Sequence, residues 1–254
     1  MNRSIAIMQP YFFPYIGYFQ LITAVDKYIL YDNLNFIKYG WVNRNKVLVK
    51  NSGTTYITVP LKHKSSFELI KNIETDESVN WREKILKTIS LNYQKAPMFQ
   101  EVYPLIEECI NLTTNKLSIL NSNLIINICN YLKINTPIES NSGKYQFIEN
   151  LLLGGGTHSN ECYSDNSIDK KVARIFEVCK YEKANIFYNA IGGTQLYSKI
   201  LFSKNHIELK FIKTASIVYK QFNNDFIPSL SIIDVMMFNP VDAINSLLNN
   251  YELI

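Results

Sequence analysis

By residue 31 the chain has already passed through a strand, a helix and a second strand, and that order constrains the architecture more than any other feature. Residues 4–8 form a short apolar run halted by Gln9-Pro10. Residues 17–25 place Phe19, Leu21, Ile22 and Val25 at helical spacing, and Tyr28-Ile29-Leu30-Tyr31 is apolar again. Two strands separated by a helix pair in parallel, since a tight hairpin has no room for the crossover. The opening therefore predicts an α/β fold built on a parallel Rossmann-like sheet.

The rest of the chain extends that grammar. Residues 41–50 and 54–60 read as strands flanking the turn Asn51-Ser52-Gly53. Between 81 and 135 the pattern becomes helical, with Trp81, Ile85, Ile89 and Tyr93 recurring every four residues and Pro97 and Pro104 as punctuation. No linker-like stretch brackets this segment, so it reads as a helical insertion or subdomain within a single domain spanning 1–254. Residues 140–167 are the least regular. Their Gly154-Gly155-Gly156 lacks the spaced glycines of a dinucleotide fingerprint and reads as a mobile loop. Strand and helix then alternate: helix 169–181, strand 184–190, helix 194–202, strand 207–212, and closing helices 229–238 and 241–248.

Composition excludes several classes. The net charge is only +4 and the basic residues are scattered, so the Lys/Arg stripe of a nucleic-acid groove is not expected, whereas small phosphate-bearing substrates are compatible. The four cysteines form no CxxC pair and have no His at ligand spacing, so neither a metal site nor a disulfide framework is expected. Cys109, Cys129 and Cys179 sit in helical apolar context and read as small core residues, leaving Cys162 in a polar loop as the reactive candidate. No apolar run reaches membrane-spanning length and the start is too short for a signal segment, which gives a cytoplasmic expectation.

Open parallel sheets bind ligands beyond the carboxyl ends of their strands. Gln9 and Tyr11 fall at that edge of the first strand, and Asp32 with Asn33 at that edge of the second. Gly17, at the start of the first helix, permits close approach, and the unpaired amides there favour an anion. By analogy the layout is nucleotidylyltransferase-like, where a His-x-Gly-His tetrad begins the helix. Here the tetrad is Tyr15-Ile16-Gly17-Tyr18, and tyrosines supply neither a cation nor a readily exchanged proton at neutral pH. Nucleotidyl transfer is therefore rejected. Aromatic core filling accounts for Phe12, Phe13 and Phe19 better than for Gln9, Tyr11 and Asp32.

A second candidate segment is Trp41-Val42-Asn43-Arg44-Asn45. Strand alternation would put Trp41, Asn43 and Asn45 on one face and Arg44 on the other. Arg44 could fork onto a phosphate or carboxylate while Trp41 stacks on a ring. Near the end of the chain, Ser231 and Asp234 share a helix face, a pattern equally suited to an N-cap with a first-turn acid. His158 is the one histidine placed for acid–base work; His63 and His206 are isolated.

Taken in order, these motifs resemble the WbqC-like family. The resemblance rests on the run from Met8 to Phe19, then Asp32, Trp41-x-Asn43-Arg44-Asn45, Thr58-Val59-Pro60, Trp81 and Tyr93-x-Lys95-Ala96-Pro97-x-Phe99. It continues through Cys179-Lys180, Tyr188, Gly193, Phe202, Ile207, Tyr219-x-Gln221, Phe226-x-Pro228 and Ser231-Ile232-Ile233-Asp234. Two departures stand out: Glu83-Lys84-Ile85 replaces a histidine that follows the Trp81 motif, and the segment up to Ser167 is longer.

The resemblance implies a role in surface-polysaccharide biosynthesis: transfer of an acyl or aminoacyl group, glycyl included, onto the amine of a nucleotide-linked amino sugar. On that reading Asp32 is the base, and Arg44, Asn43 and Gln9 are donors or phosphate anchors. Tyr11, Tyr18 and Trp41 make ring contacts, and Tyr15, Gly17, Asn45, Tyr188, Gln221, Ser231 and Asp234 complete the binding set. No cofactor is expected, and the partners would be the small-molecule substrate with a carrier protein or a second copy of the chain. The alternatives are a nucleotide- or carrier-binding adaptor without turnover, favoured by the missing nucleophile, and an ATP-dependent ligase.

Overall fold

A computed structural model describes residues 2–49, 53–63, 65–153, 169–222 and 225–254. The first half runs β1 (Ser4–Met8), α1 (Ile16–Thr23), β2 (Lys27–Leu30), β3 (Arg44–Leu48), β4 (Thr54–Thr58), α2 (Trp81–Tyr93), α3 (Phe99–Ile110) and α4 (Leu117–Tyr131). The second half runs β5 (Ile138–Glu139), α5 (Gln146–Leu153), α6 (Lys170–Glu182), β6 (Ile186–Ala190), α7 (Lys199–Lys204), β7 (Glu208–Thr214), α8 (Ile232–Phe238), α9 (Val241–Leu248) and β8 (Tyr251–Leu253).

Six strands form one sheet in the order β5-β2-β1-β6-β7-β8. All pairs are parallel except β7 with β8. Numbered among themselves, the strands lie 3-2-1-4-5-6, which is the Rossmann order, so the expected Rossmann-like α/β fold is observed. Both faces are covered, as parallel sheets require. Ile5, Ile29, Phe187 and Leu209 pack with Val172, Phe176 and Phe202 from α6 and α7. Ala6, Tyr28, Leu30 and Ile212 face a larger cluster that takes in α1, the helices α2–α4, and α8 with α9. Outside the sheet, β3 and β4 make an antiparallel hairpin whose Asn45, Val47 and Ile57 point inward.

Local differences from the sequence reading have physical causes. The strand expected over 41–50 begins only at Arg44, because residues 41–43 bend to meet the opening turn, with Phe12 N donating to Trp41 O at 3.0 Å. A single helix over 194–202 is replaced by a 3-10 turn at Ile191–Gln195 and α7, whose start Ser198 caps by accepting from Leu201 N. Helix α3 continues through Pro104, which sits on its exposed side. Part of the irregular stretch is helical: α5 presents Glu149 inward, which hid its apolar face. The two-residue β5 and three-residue β8 are too short to carry a periodicity. Gly154, Gly155, Gly156, His158 and Cys162 lie outside the described residues. Cys109, Cys129 and Cys179 are buried, and burial pushes their thiols up to about 11, 12 and 12, as suits inert core residues.

An ion network braces the amino end of the sheet. The Glu182 carboxylate, at the end of α6, accepts from Lys27 Nζ at 2.8 Å, Tyr145 Oη at 2.7 Å and Lys144 Nζ at 3.1 Å. Arg3 adds a fourth contact at 3.3 Å. Among the described residues no helix is long and apolar enough to cross a membrane.

Candidate functional site at the carboxyl edge of the sheet

The sheet order places a topological switch between β1 and β6, where connections depart in opposite directions and leave a crevice. Gln9 follows β1 at that crevice. Its Oε1 is buried without a hydrogen-bond partner among the described residues. Such an orphan acceptor in a native site calls for a ligand or water donor. Its backbone carbonyl accepts the Tyr18 hydroxyl at 2.8 Å. Tyr11 and Tyr28 flank Tyr18 at centroid distances of 5.6 and 5.5 Å. Burial pushes the hydroxyls of Tyr11, Tyr15 and Tyr18 above the usual phenol range, so this cluster stays protonated and neutral. Gly17 does permit a close approach, but of Tyr15: the ring folds back over the Gly17 Cα where a side chain would overlap it.

One strand over, the chain leaves β2 through Asp32 and Asn33. The Asp32 Oδ1 accepts the Ser142 hydroxyl, and the Asp32 carbonyl accepts Lys71 N at 3.0 Å. Gln146 Oε1 takes Asn33 Nδ2 at 3.2 Å and Lys71 Nζ at 3.0 Å. Among the described residues Lys71 enters no ion pair, so its ammonium keeps charge to offer. Behind them, Tyr31 Oη donates to Glu149 at 2.7 Å, and Arg174 grips the same carboxylate through Nε and Nη2. Burial pushes the Glu149 carboxyl up, but the Arg174 guanidinium and Tyr31 hydroxyl outweigh it and hold it below the usual range. Lys71, Ser142 and Gln146 were missed in the sequence because they reach Asp32 and Asn33 from segments 39, 110 and 113 residues away.

The Trp41–Asn45 motif builds the walls. Asn45 Nδ2 donates to Phe13 O at 2.8 Å and Phe12 O at 3.2 Å, and Asn43 Nδ2 donates to Val59 O at 2.9 Å. Asn121 Nδ2 bonds Pro10 O and Val42 O at 2.9 and 2.6 Å, and Ser231 Oγ donates to Phe13 O at 2.8 Å. Side-chain amides and a hydroxyl thus hold the 10–14 turn, including Phe13 at φ 42°. Arg44 points the other way, as alternation predicts. It lies over Tyr56 at 4.6 Å and Tyr39 at 5.6 Å, and its Nη2 and Nε donate to the carbonyls of Tyr39 and Gly40. Trp41 is 41% exposed on the bend rather than on a strand.

The C-terminal candidates are buried framework. Ser231 caps α8, its Oγ accepting Ile233 N at 3.2 Å. Asp234 is fully buried and accepts from Tyr93 Oη at 2.8 Å, Tyr219 Oη at 2.6 Å and Gln221 Nε2 at 2.6 Å. Burial raises its pKa, and those three neutral donors offset part of that rise. Tyr188, on β6, lies under Lys210 at 5.8 Å. No metal-holding group of His, Cys, Asp and Glu occurs among the described residues. A groove of about 700 Å³ opens between α2 and α3, lined in part by Arg82, Leu86 and Tyr103, and shares no residue with this edge.

The chain matches a family model described as WbqC-like protein family over residues 9–246. The chain belongs to the WbqC-like family. It is also similar to Rv1507c of Mycobacterium tuberculosis, an uncharacterized protein, at 26% identity over 239 residues, covering 93% of this chain and 94% of that one. No solved structure matches significantly. For a WbqC-like chain the matched span thus takes in the carboxyl-edge residues Gln9 and Asp32 as well as the buried Asp234.

Proposed function

We propose that this WbqC-like chain is a transferase that moves an acyl or aminoacyl group, glycyl included, onto the amine of a nucleotide-linked amino sugar in surface-polysaccharide assembly of the O-antigen type. The observation that carries the reading is the placement of Asp32. In sheets of this strand order, ligands sit beyond the carboxyl ends of the strands, and Asp32 follows the second of them. Here that carboxylate accepts the Ser142 hydroxyl, while the Lys71 ammonium, in no ion pair among the described residues, sits on Gln146 next to Asn33. A nucleotide-linked amino sugar supplies matching groups: an amine for the carboxylate and a diphosphate for the cation.

In the transfer, the sugar amine attacks the donor carbonyl, a C–N bond forms, and the bond to the leaving group breaks. The amine proton, acidified once nitrogen has attacked, passes to a carboxylate, and Asp32 is the proposed acceptor. The oxyanion needs N–H donors, for which Lys71 and Asn33 are proposed. Arg44, with its Nε and Nη2 already on backbone carbonyls, would act through the shape of the 39–44 loop.

The test is a mass-spectrometric screen of nucleotide amino sugars against glycyl and acyl donors. A mass increase on the sugar that disappears in Asp32→Asn supports the proposal; full activity in Asp32→Asn removes the proposed base. A second reading is an adaptor that binds the nucleotide without turnover, favoured by the neutral tyrosines where a titratable pair would be needed. That reading predicts a ligand-induced rise in Tm with no product.

A further inference from the structure

Between Asp32 and Glu68 the sequence contains no aspartate or glutamate, yet it holds Lys38, Arg44, Lys46, Lys50, Lys62 and Lys64. The whole chain is only +4, so everything outside this stretch is net acidic. The cations look scattered along the sequence; the bias lies in the missing carboxylates.

The fold gathers part of this stretch onto one face. On the outward side of the β3–β4 hairpin, Lys46 pairs directly with Tyr56 across the strands, its Nζ 5.4 Å from the ring. Arg44 lies between Tyr56 and Tyr39, and the Arg44–Tyr56–Lys46 ladder extends through Tyr39 to the exposed Lys38. Large apolar groups of the same stretch stand in water: Tyr39, beside Arg44, is 84% exposed and Phe67 90%. The bridge between Asn35 and Leu69, with Phe36 N donating to Glu68 O, brings the start of the 37–40 turn close to the 65–68 turn that carries Phe67. Ile37 is itself 53% exposed.

Tyr39 adds an independent observation. It sits at φ 63°, in the left-handed region, at the tip of a turn closed by Gly40 N to Ile37 O. A bulky residue in that conformation is strained, and Gly would fit without strain. The chain keeps an aromatic ring there, projecting into solvent.

Cations interleaved with exposed Tyr, Phe and Ile match an interface that is anionic at its surface and apolar just beneath. A soluble anion would use the charges and leave the apolar groups in water. We propose that this face docks the protein onto an anionic phospholipid bilayer, peripherally, with Tyr39, Ile37 and Phe67 entering the headgroup region. The stretch begins one residue after Asp32 and ends four before Lys71, so docking would hold the carboxyl edge of the sheet near the membrane. The proposal does not depend on the transfer reaction.

The test uses the full chain and extruded vesicles of phosphatidylcholine, with or without phosphatidylglycerol. Co-sedimentation is expected with the anionic vesicles only, roughly tenfold or more above the neutral ones, and reversed by salt. Lys38→Glu and Phe67→Ser, both at exposed positions, should weaken it. Tyr39→Gly is decisive because it relieves the backbone: thermal stability should hold or rise while vesicle binding falls. Equal partition onto neutral vesicles, unchanged binding in all three variants, or preferential retention on a single-stranded RNA probe would each overturn the proposal.

Discussion

The Tyr93 hydroxyl donates to Asp234 Oδ1 at 2.8 Å across 141 residues of chain, and the same oxygen accepts Leu48 N at 2.7 Å. One phenol therefore joins α2, α8 and the β3–β4 hairpin. Tyr93→Phe would orphan the buried Leu48 amide and strip one of three donors from a buried carboxylate. With about 1–3 kcal/mol for each unsatisfied buried group, the expected loss is roughly 2–4 kcal/mol, measured by urea unfolding at neutral pH.

Asp234 makes a separate prediction about pH. Its folded pKa is raised by burial, so the native state binds the proton more tightly than the unfolded chain. Stability contributed at this position therefore rises as pH falls from above the folded pKa toward the ordinary carboxylate value. The stability difference between wild type and Asp234→Asn should shift toward wild type over that interval. A pH-independent difference would mean that Asp234 does not titrate within it.

Glu182 has the opposite sign. Burial pushes its carboxyl up, but hydrogen bonds from Lys27, Tyr145 and Lys144 overcome that and hold it down at about 2. Its contribution is present above the ordinary glutamate value of about 4.3 and is lost as pH falls through the folded value. At about 1.4 kcal/mol per unit this is on the order of 3 kcal/mol. Acid titration of Glu182→Gln should show a correspondingly shallower loss of stability between pH values of about 4.5 and 2.

The central strands β1, β2, β6 and β7 were legible because they are short apolar runs with turn signals around them, whereas the edge strands β5 and β8 were too short to show. Gln9, Asp32 and Asn43 could be singled out as polar groups at strand ends. Lys71 and Gln146 could not, because they gain meaning only when distant segments converge on Asn33. Arg44 and Asn45 illustrate a different limit. Alternation gave their opposite faces, but neither the tyrosine stack under Arg44 nor the carbonyls of Phe12 and Phe13 can be read from spacing.

Gly17 offers a test of why that position lacks a side chain. In a helix, Gly→Ala ordinarily stabilises by about 1 kcal/mol. Here the new methyl would overlap the Tyr15 ring, so Gly17→Ala should instead destabilise by roughly 1–3 kcal/mol, the usual range for overpacking. Adding Tyr15→Leu should recover part of that loss. A double-mutant cycle measured by thermal unfolding reads the coupling, and additive effects would show that the ring is not the obstacle.

Lys71 separates binding from chemistry at the proposed site. Its backbone N–H holds the Asp32 carbonyl and its ammonium donates to Gln146, so Lys71→Met keeps the backbone bond and deletes the charge with that one side-chain hydrogen bond. If the ammonium meets a phosphate before and during transfer alike, the KM for the nucleotide sugar should rise by roughly tenfold with kcat little changed, and Lys71→Arg should restore much of it. If it stabilises the oxyanion, kcat should fall instead by about 10²–10³. Asp32→Asn is expected to lower kcat by about 10²–10⁴, the range for losing a general base. Steady-state kinetics on the three variants with one nucleotide amino sugar distinguishes these outcomes, and a Lys71→Met variant with both parameters unchanged would place the ligand elsewhere along the sheet edge.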